Sequence, residues 1–200
     1  KLNQDHQTEC QLMIKEAFSR FSKFSDEEWS EVEACFTYKK LVKGDHLVKP
    51  MQVSKSLAFV TEGLLSYYYI SKGNQRIRQF FFSNNFAGDL SSYFLESPSD
   101  AYIEAIENST VVLIYKTDSD MLIENNVAYR TFMLKATQYL LTVISEKYES
   151  FLLKTAEERY VDLIHDRPKV IHNVPQYMIA SYLGITQEGL SRIRRRLSIK

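Results

Sequence analysis

Residues 176 to 197 read Gln-Tyr-Met-Ile-Ala-Ser-Tyr-Leu-Gly-Ile-Thr-Gln-Glu-Gly-Leu-Ser-Arg-Ile-Arg-Arg-Arg-Leu, and no other run constrains the fold as tightly. Ile179, Leu183, Leu190, Ile193 and Leu197 are spaced for two short helices sharing one small core. Pro175 stands where a helix start tolerates proline. Ala180 is small where two steeply crossing helices must come close. Gly184, four residues on, supplies a turn that a Cβ would resist. Ile185 plugs the corner, and Thr186 is placed to cap the second helix. The pattern predicts a helix-turn-helix.

On the second helix the inward positions are Leu190, Ile193 and Leu197. Glu188, Ser191, Arg192 and Arg195 recur at i, i+3, i+4 and i+7, on the opposite face. A face of that kind can enter a DNA major groove. Arg192 can fork onto guanine O6 and N7, Glu188 can accept from a cytosine amino group, and Gln187 can read adenine. Arg194 and Arg196 flank the face and suit phosphates. Gly189 lowers helix propensity by about 1 kcal/mol relative to alanine and reads as a tolerated residue, with close approach of the backbone to DNA as the alternative. The whole chain balances 25 Lys and Arg against 25 Asp and Glu, but the balance hides an asymmetry. Residues 186–200 carry Arg192, Arg194, Arg195, Arg196 and Lys200 against Glu188, a net +4, so the preceding residues are net −4. A basic tip on an acidic body is a nucleic-acid footprint. The plainer alternative is a solvated basic amphipathic helix.

Upstream, residues 5 to 24 read as a helix, with Leu12, Ile14, Ala17, Phe18 and Phe21 in a stripe. Ser25 and Glu28 form a capping box that opens a second helix running to about Cys35. From Tyr38 to Lys116 short apolar runs are broken every 8 to 12 residues, at Lys43-Gly44-Asp45, Glu62-Gly63 and Lys72-Gly73-Asn74 among others. That rhythm predicts an antiparallel all-β unit, a sandwich or a barrel. Leu64–Ile70 and Arg76–Phe82 pair as a hairpin across Gly73-Asn74. A long helix follows near 127–152. Phe132, Met133, Ala136, Leu140, Val143 and Ile144 form one stripe, and Leu134, Leu141 and Leu152 lie on other faces. A helix apolar on several sides must bury several sides; one can cover the β unit and another a partner subunit, and a core helix buried within a monomer is the alternative. Thr155 and Glu158 form a second capping box, for a helix with Ala156, Tyr160, Leu163 and Ile164 inward that stops at Arg167-Pro168.

Several function classes are disfavoured. There is no apolar run of eighteen residues, so no membrane span is expected. Lys1 to Glu16 is polar, so no signal peptide is expected and the location read is cytoplasmic. Cys10 and Cys35 make no disulfide framework, and the four histidines have no metal-ligand spacing. No metal, no cofactor and no catalytic residue are expected. A cupin-like barrel enzyme would need several histidines, and between Tyr38 and Lys116 only His46 exists. A protein-interaction module built on the barrel is the other alternative.

The early glycines, the hairpin, the segment Phe86-Ala87-Gly88-Asp89-Leu90, the long helix and Thr186-Gln187-Glu188-Gly189-Leu190-Ser191-Arg192-Ile193 together resemble the Crp/Fnr family of bacterial transcription regulators over nearly the whole chain. The resemblance implies an α+β fold with an N-terminal jelly-roll (double-stranded β-helix) of the cyclic-nucleotide-binding type, a long dimerisation helix and a C-terminal winged helix-turn-helix. The domains implied are 1–153 for effector sensing and 154–200 for DNA binding. The partners implied are an inverted-repeat operator in double-stranded DNA, a second copy of the chain and a small-molecule effector, with RNA polymerase as a further candidate. The expected DNA-binding residues are Thr186, Gln187, Glu188, Ser191, Arg192, Arg194, Arg195 and Arg196, of which Glu188 and Arg192 match the positions the family uses for base contacts. The effector pocket implied is Phe86, Gly88, Asp89, Leu90, Ser99, Asp100 and Ala101. Cyclic-nucleotide binders in the family follow Gly-Glu with an Arg-Ser/Thr-Ala triplet whose arginine neutralises the phosphate. Here Gly88-Asp89 resembles the first, but the triplet reads Ser99-Asp100-Ala101. A carboxylate 4 Å from a phosphate costs about 1 kcal/mol even in bulk water. A cyclic-nucleotide response through a divergent pocket therefore stands as the alternative, and no binding of cyclic AMP as the expectation. Iron-sulfur sensing would need a cysteine cluster that two distant cysteines cannot supply.

Overall fold

The computed structural model describes residues 4–198, with side chains from residue 8 onward. Lys200 of the basic tail and the His6 imidazole therefore lie outside the described residues. Packing divides the chain into two units, one of residues 1–67 and 81–140 and the other of residues 68–80 and 141–200.

α1 (Gln4–Ser19) and α2 (Asp26–Ala34) of the first unit precede eight strands, six of them wholly in that unit and two, the hairpin pair, running on into the second. These are β1 (Thr37–Leu41), β2 (His46–Val48), β3 (Ser56–Glu62), β4 (Leu64–Ser71), β5 (Asn74–Phe82), β6 (Asn85–Ala87), β7 (Ala101–Ala105) and β8 (Ser109–Tyr115). They form two four-stranded sheets in the orders β1-β8-β3-β6 and β2-β7-β4-β5. That pair of orders is a jelly roll. β8 lies between β1 and β3, with Val112 opposite Tyr38 on one side and Phe59 on the other. Ser109 to Ile114 are all buried, because β8 has one face in the sandwich and the other beneath helices. The short helix α3 (Leu90–Leu95) sits between β6 and β7.

The helices on the outer face of that sheet share a core of Ile14, Ala17, Phe18, Trp29, Val32, Leu122, Tyr129 and Phe132 with Phe59, Val112 and Ile114 of the strands. Phe18 is its hub. It stacks on Phe132 at 3.9 Å between centroids and meets Trp29 edge-on at 5.6 Å. α1 ends at Ser19, five residues before the sequence expectation. The chain must be extended at Ser25 to cap α2, where Ser25 accepts from the Glu28 amide and Glu28 accepts from the Ser25 amide. Phe21 and Phe24 still reach the core from this turn.

α4 (Lys116–Asn125) and α5 (Val127–Leu153) meet at Asn126, which is buried. Its amide donates to the Glu28 carbonyl and the Glu31 carboxylate, and its side-chain oxygen accepts from the Tyr129 amide, so one residue caps α5 and fastens α2. Ala128, Tyr129 and Phe132 are buried. Beyond them Leu134, Leu141, Ile144, Tyr148, Phe151 and Leu152 are exposed. Leu134, Leu141 and Tyr148 recur every seven residues, and Ile144 and Phe151 follow three later, which is an a/d seam.

The second unit holds the hairpin end 68–80, residues 141–153 of α5, and the helices α6 (Ala156–Asp166), α7 (Pro168–Asn173), α8 (Gln176–Leu183) and α9 (Gln187–Ser198). Lys72 and Gly73 both have positive φ, 51° and 76°, the two-residue turn that suits a twisted hairpin. The Thr155–Glu158 capping box opens α6 as expected. Tyr160 and Leu163 are buried, whereas Ile164 is 38% exposed and not inward. Residues 154–198 form helices and no strand, so the wing implied by the family resemblance has no strand among the described residues.

Candidate nucleic-acid interface

α8 buries Met178, Ile179, Ala180 and Leu183, and α9 buries Leu190 and Ile193 against them. Gly184 ends α8 in the left-handed region at φ 72°. Its amide donates to the Ser181 carbonyl, and the Ile185 amide donates back to the Ala180 carbonyl. This closure satisfies carbonyls that the helix end would otherwise orphan. The Thr186 hydroxyl accepts from the Gly189 amide at 3.1 Å, so Thr186 caps α9. A Cβ on Gly189 would lie 3.4 Å from that hydroxyl, close to ordinary contact.

Glu188, Ser191, Arg192, Arg194, Arg195 and Arg196 are all exposed, as is Gln187. Ile185, Gly189, Arg192, Ile193, Arg195 and Arg196 line a shallow groove beside α9. The Glu188 carboxyl is held below the usual carboxylate range by its own backbone amide, then by the Thr186 hydroxyl, with Arg192 adding a smaller pull. It is therefore ionised at neutral pH and acts only as an acceptor. Arg196 is tied down: its guanidinium lies 2.6 Å from the Glu157 carboxylate on α6. An exposed pair of this kind contributes about 0–1 kcal/mol, and a phosphate would have to compete with it.

The effector-pocket residues do not all converge. Asp89 is buried and caps α3, accepting from the Ser92 amide at 3.4 Å. The Ser99 hydroxyl donates to the other Asp89 oxygen at 2.6 Å and accepts from the Ala101 amide at 2.9 Å. These polar groups satisfy one another. Asp100 is exposed and Leu90 half-buried. A Cβ on Gly88 would come within 2.8 Å of the Leu57 side chain. Phe86 turns towards the helices, its ring 5.5 Å from Phe18 and 5.6 Å from Phe132. No group of three or more His, Cys, Asp or Glu side chains among the described residues is placed to hold a metal ion. His46 instead lies 3.8 Å from Glu104.

No protein-family model and no curated protein matches the sequence. Solved structures do match. The CLP protein of Xanthomonas campestris, described as a c-di-GMP responsive global regulator, superposes with a TM-score of 0.67 at 14% identity, over 88% of this chain and 92% of that one. A transcriptional regulator of the Crp/Fnr family from Eubacterium rectale gives 0.67 at 14% identity, over 88% and 84%. The catabolite activator protein of Thermus thermophilus gives 0.57 at 17% identity, over 89% and 85%. The fold is that of Crp/Fnr regulators.

Within this Crp/Fnr-type fold, several residues that support α8 and α9 escape sequence reasoning. Arg159 of α6 donates to the Leu183 carbonyl at 2.9 Å and lies 4.5 Å over the Phe151 ring. Arg167 donates to the Gln79 side chain and the Phe80 carbonyl. The Ser181 hydroxyl of α8 accepts from the Ile77 amide at 3.0 Å and donates to the Gln75 carbonyl at 2.8 Å. For Arg167 and Ser181 the partners lie 87 to 106 residues away in sequence, beyond any local spacing rule. Only the position of Arg167 before Pro168, at a helix end with open carbonyls nearby, is a local signal.

Proposed function

We propose that this chain is a homodimeric, sequence-specific DNA-binding transcription regulator of the Crp/Fnr type. The observation that carries the reading is the exposed face of α9. There Glu188, Ser191, Arg192 and Arg195 stand opposite buried Leu190 and Ile193, on a helix set by the Gly184 turn. Residues 154–200 are the DNA-binding part, and residues 1–153 the sensing part. The apolar seam of Leu134, Leu141, Ile144, Tyr148 and Phe151 is the surface on which two copies pair. The protein acts in the cytoplasm, is not an enzyme, and has RNA polymerase as a candidate partner. No helix among the described residues is long and apolar enough to cross a membrane.

Selection from a random duplex pool tests this reading. The enriched sequences should be an inverted repeat with half-sites about 34 Å apart, one helical turn. A pool that yields no enriched sequence contradicts it.

The effector is not cyclic AMP. Asp89 and Ser99 are bonded to each other, and no arginine stands in the 99–101 triplet. An uncompensated carboxylate beside a phosphate is repulsive. Titration calorimetry with cyclic AMP should give no heat of binding at micromolar ligand, and micromolar or tighter affinity would overturn this.

A further inference from the structure

A recess of about 200 Å³ opens at one edge of the jelly roll, within the first unit. Eleven residues line it; three are lysines, Lys39, Lys49 and Lys55, and none is acidic. The lysines come from separate strands. Tyr38 packs on the helix core, so Lys39, the next residue of β1, turns to the opposite face of the sheet. Lys49 follows β2 of the other sheet, and Lys55 leads into β3. All three are exposed, and among the described residues none of them forms an ion pair. Glu96 and Asp120, two acids beside the start of α4, are both held by Lys116. The residues before 186 carry a net −4, so three cations without an anion depart from their surroundings. Leu47, Val53 and Leu113 add an apolar floor.

The backbone that carries these lysines is fixed from several sides. Met51 turns through the left-handed region at φ 64°, and its amide donates to the Ser99 carbonyl at 2.8 Å. The Ser99 amide returns a bond to the Gln52 carbonyl at 2.9 Å, and Val53 bridges Pro98. The Ser54 amide donates to the Ser92 hydroxyl oxygen at 2.9 Å, and the Lys116 amide to the Lys55 carbonyl at 2.8 Å. A ligand entering the recess therefore does not have to order the loop, which lowers the cost of binding.

We propose that this recess binds a small organic polyanion, two or three carboxylates on a short carbon skeleton. Three ammonium groups repel one another until an anion lies between them. Each exposed pair contributes little, so only a ligand that engages several lysines at once gains enough. The volume is below the roughly 300–1,000 Å³ of pockets for drug-sized ligands, which favours a molecule of a few carbons. The apolar floor suits a hydrocarbon skeleton. The site is separate from the Asp89–Ser99 pair, neither of which lines it, and its occupation does not depend on DNA binding by α9. The competing account is that Lys39 only guards the edge strand β1 against pairing with other chains.

Propane-1,2,3-tricarboxylate titrated into the full chain tests the proposal, by calorimetry and by amide NMR shifts. It should bind with a millimolar or tighter dissociation constant and move the amides of Ser54, Lys55 and Leu113. Acetate, with one charge, should not bind at the same concentration. Lys39→Gln, Lys49→Gln and Lys55→Gln should each weaken binding about fivefold. Lys40→Gln, on the other face of β1, should leave it unchanged. Absence of binding at about 10 mM tricarboxylate would overturn the site and leave the edge-guarding account. Equal loss in Lys40→Gln would reduce it to general surface charge. Inorganic pyrophosphate binding more tightly than the tricarboxylate would refute the carboxylate assignment.

Discussion

Leu141→Glu should break the proposed dimer into monomers and abolish measurable operator binding at concentrations where the wild type is saturated. Leu141 is 66% exposed in the single chain, and Leu134, Tyr148 and Leu152 are similarly open. Fully burying such a side chain stabilises by about 1.5–3 kcal/mol, and two-fold symmetry brings it in twice. The substitution removes both contributions and sets carboxylates facing each other, so the dimer should weaken by about 3–6 kcal/mol, on the order of a hundredfold to ten-thousandfold in Kd. Sedimentation should then report the 23.4 kDa monomer. The folded chain should be little changed, because Leu141 touches no core within it. A Leu141→Glu protein that still sediments as a dimer would place the interface elsewhere.

Arg192→Ala should relax base preference at one base pair per half-site and cost about 1–3 kcal/mol at each, the worth of a bidentate guanine contact. Arg194→Ala is the contrasting variant. It should weaken all sequences about equally and reduce the salt slope by about one, as loss of one phosphate contact does. Arg196 is a poorer control, because Glu157 already holds it and its removal also frees a carboxylate next to α9. Repeating site selection with both variants separates base reading from plain charge. An Arg192→Ala protein that keeps the wild-type consensus at every position refutes the recognition role, and equal effects of the two variants favour a merely solvated basic helix. Glu188 should behave as a fixed anion throughout the neutral range, since the helix start holds its carboxyl low.

The elements whose information is local were legible in the residues. The Gly184 turn, the two capping boxes, the Gly73 hairpin and the inward set of α9 each depend on neighbours within a few positions, where period and cap chemistry act. The alternation and break spacing of residues 38–116 called for an antiparallel β unit. Its strand order, with β8 between β1 and β3, joins residues fifty to eighty apart. Periodicity says which face of a strand is buried but not which strand it pairs with. α5 shows the same division. Its apolar sides are plain in the residues, but only the folded core takes Phe132 for Phe18 and leaves Leu141 and Tyr148 outside. Arg196 looked like a free cation until α6 brought Glu157 to it. Phe86 looked like a pocket residue until the β3–β6 pairing turned it towards Phe59 and the helices. Asp89 and Ser99, ten residues apart, became a closed pair only because α3 folds between them. Lys147, unremarkable on its helix, meets the Arg78 carbonyl and the Tyr182 ring, both far from it in sequence. Backbone conformation follows from neighbours in the chain, whereas a side chain's electrostatic partner is whatever the tertiary fold sets beside it.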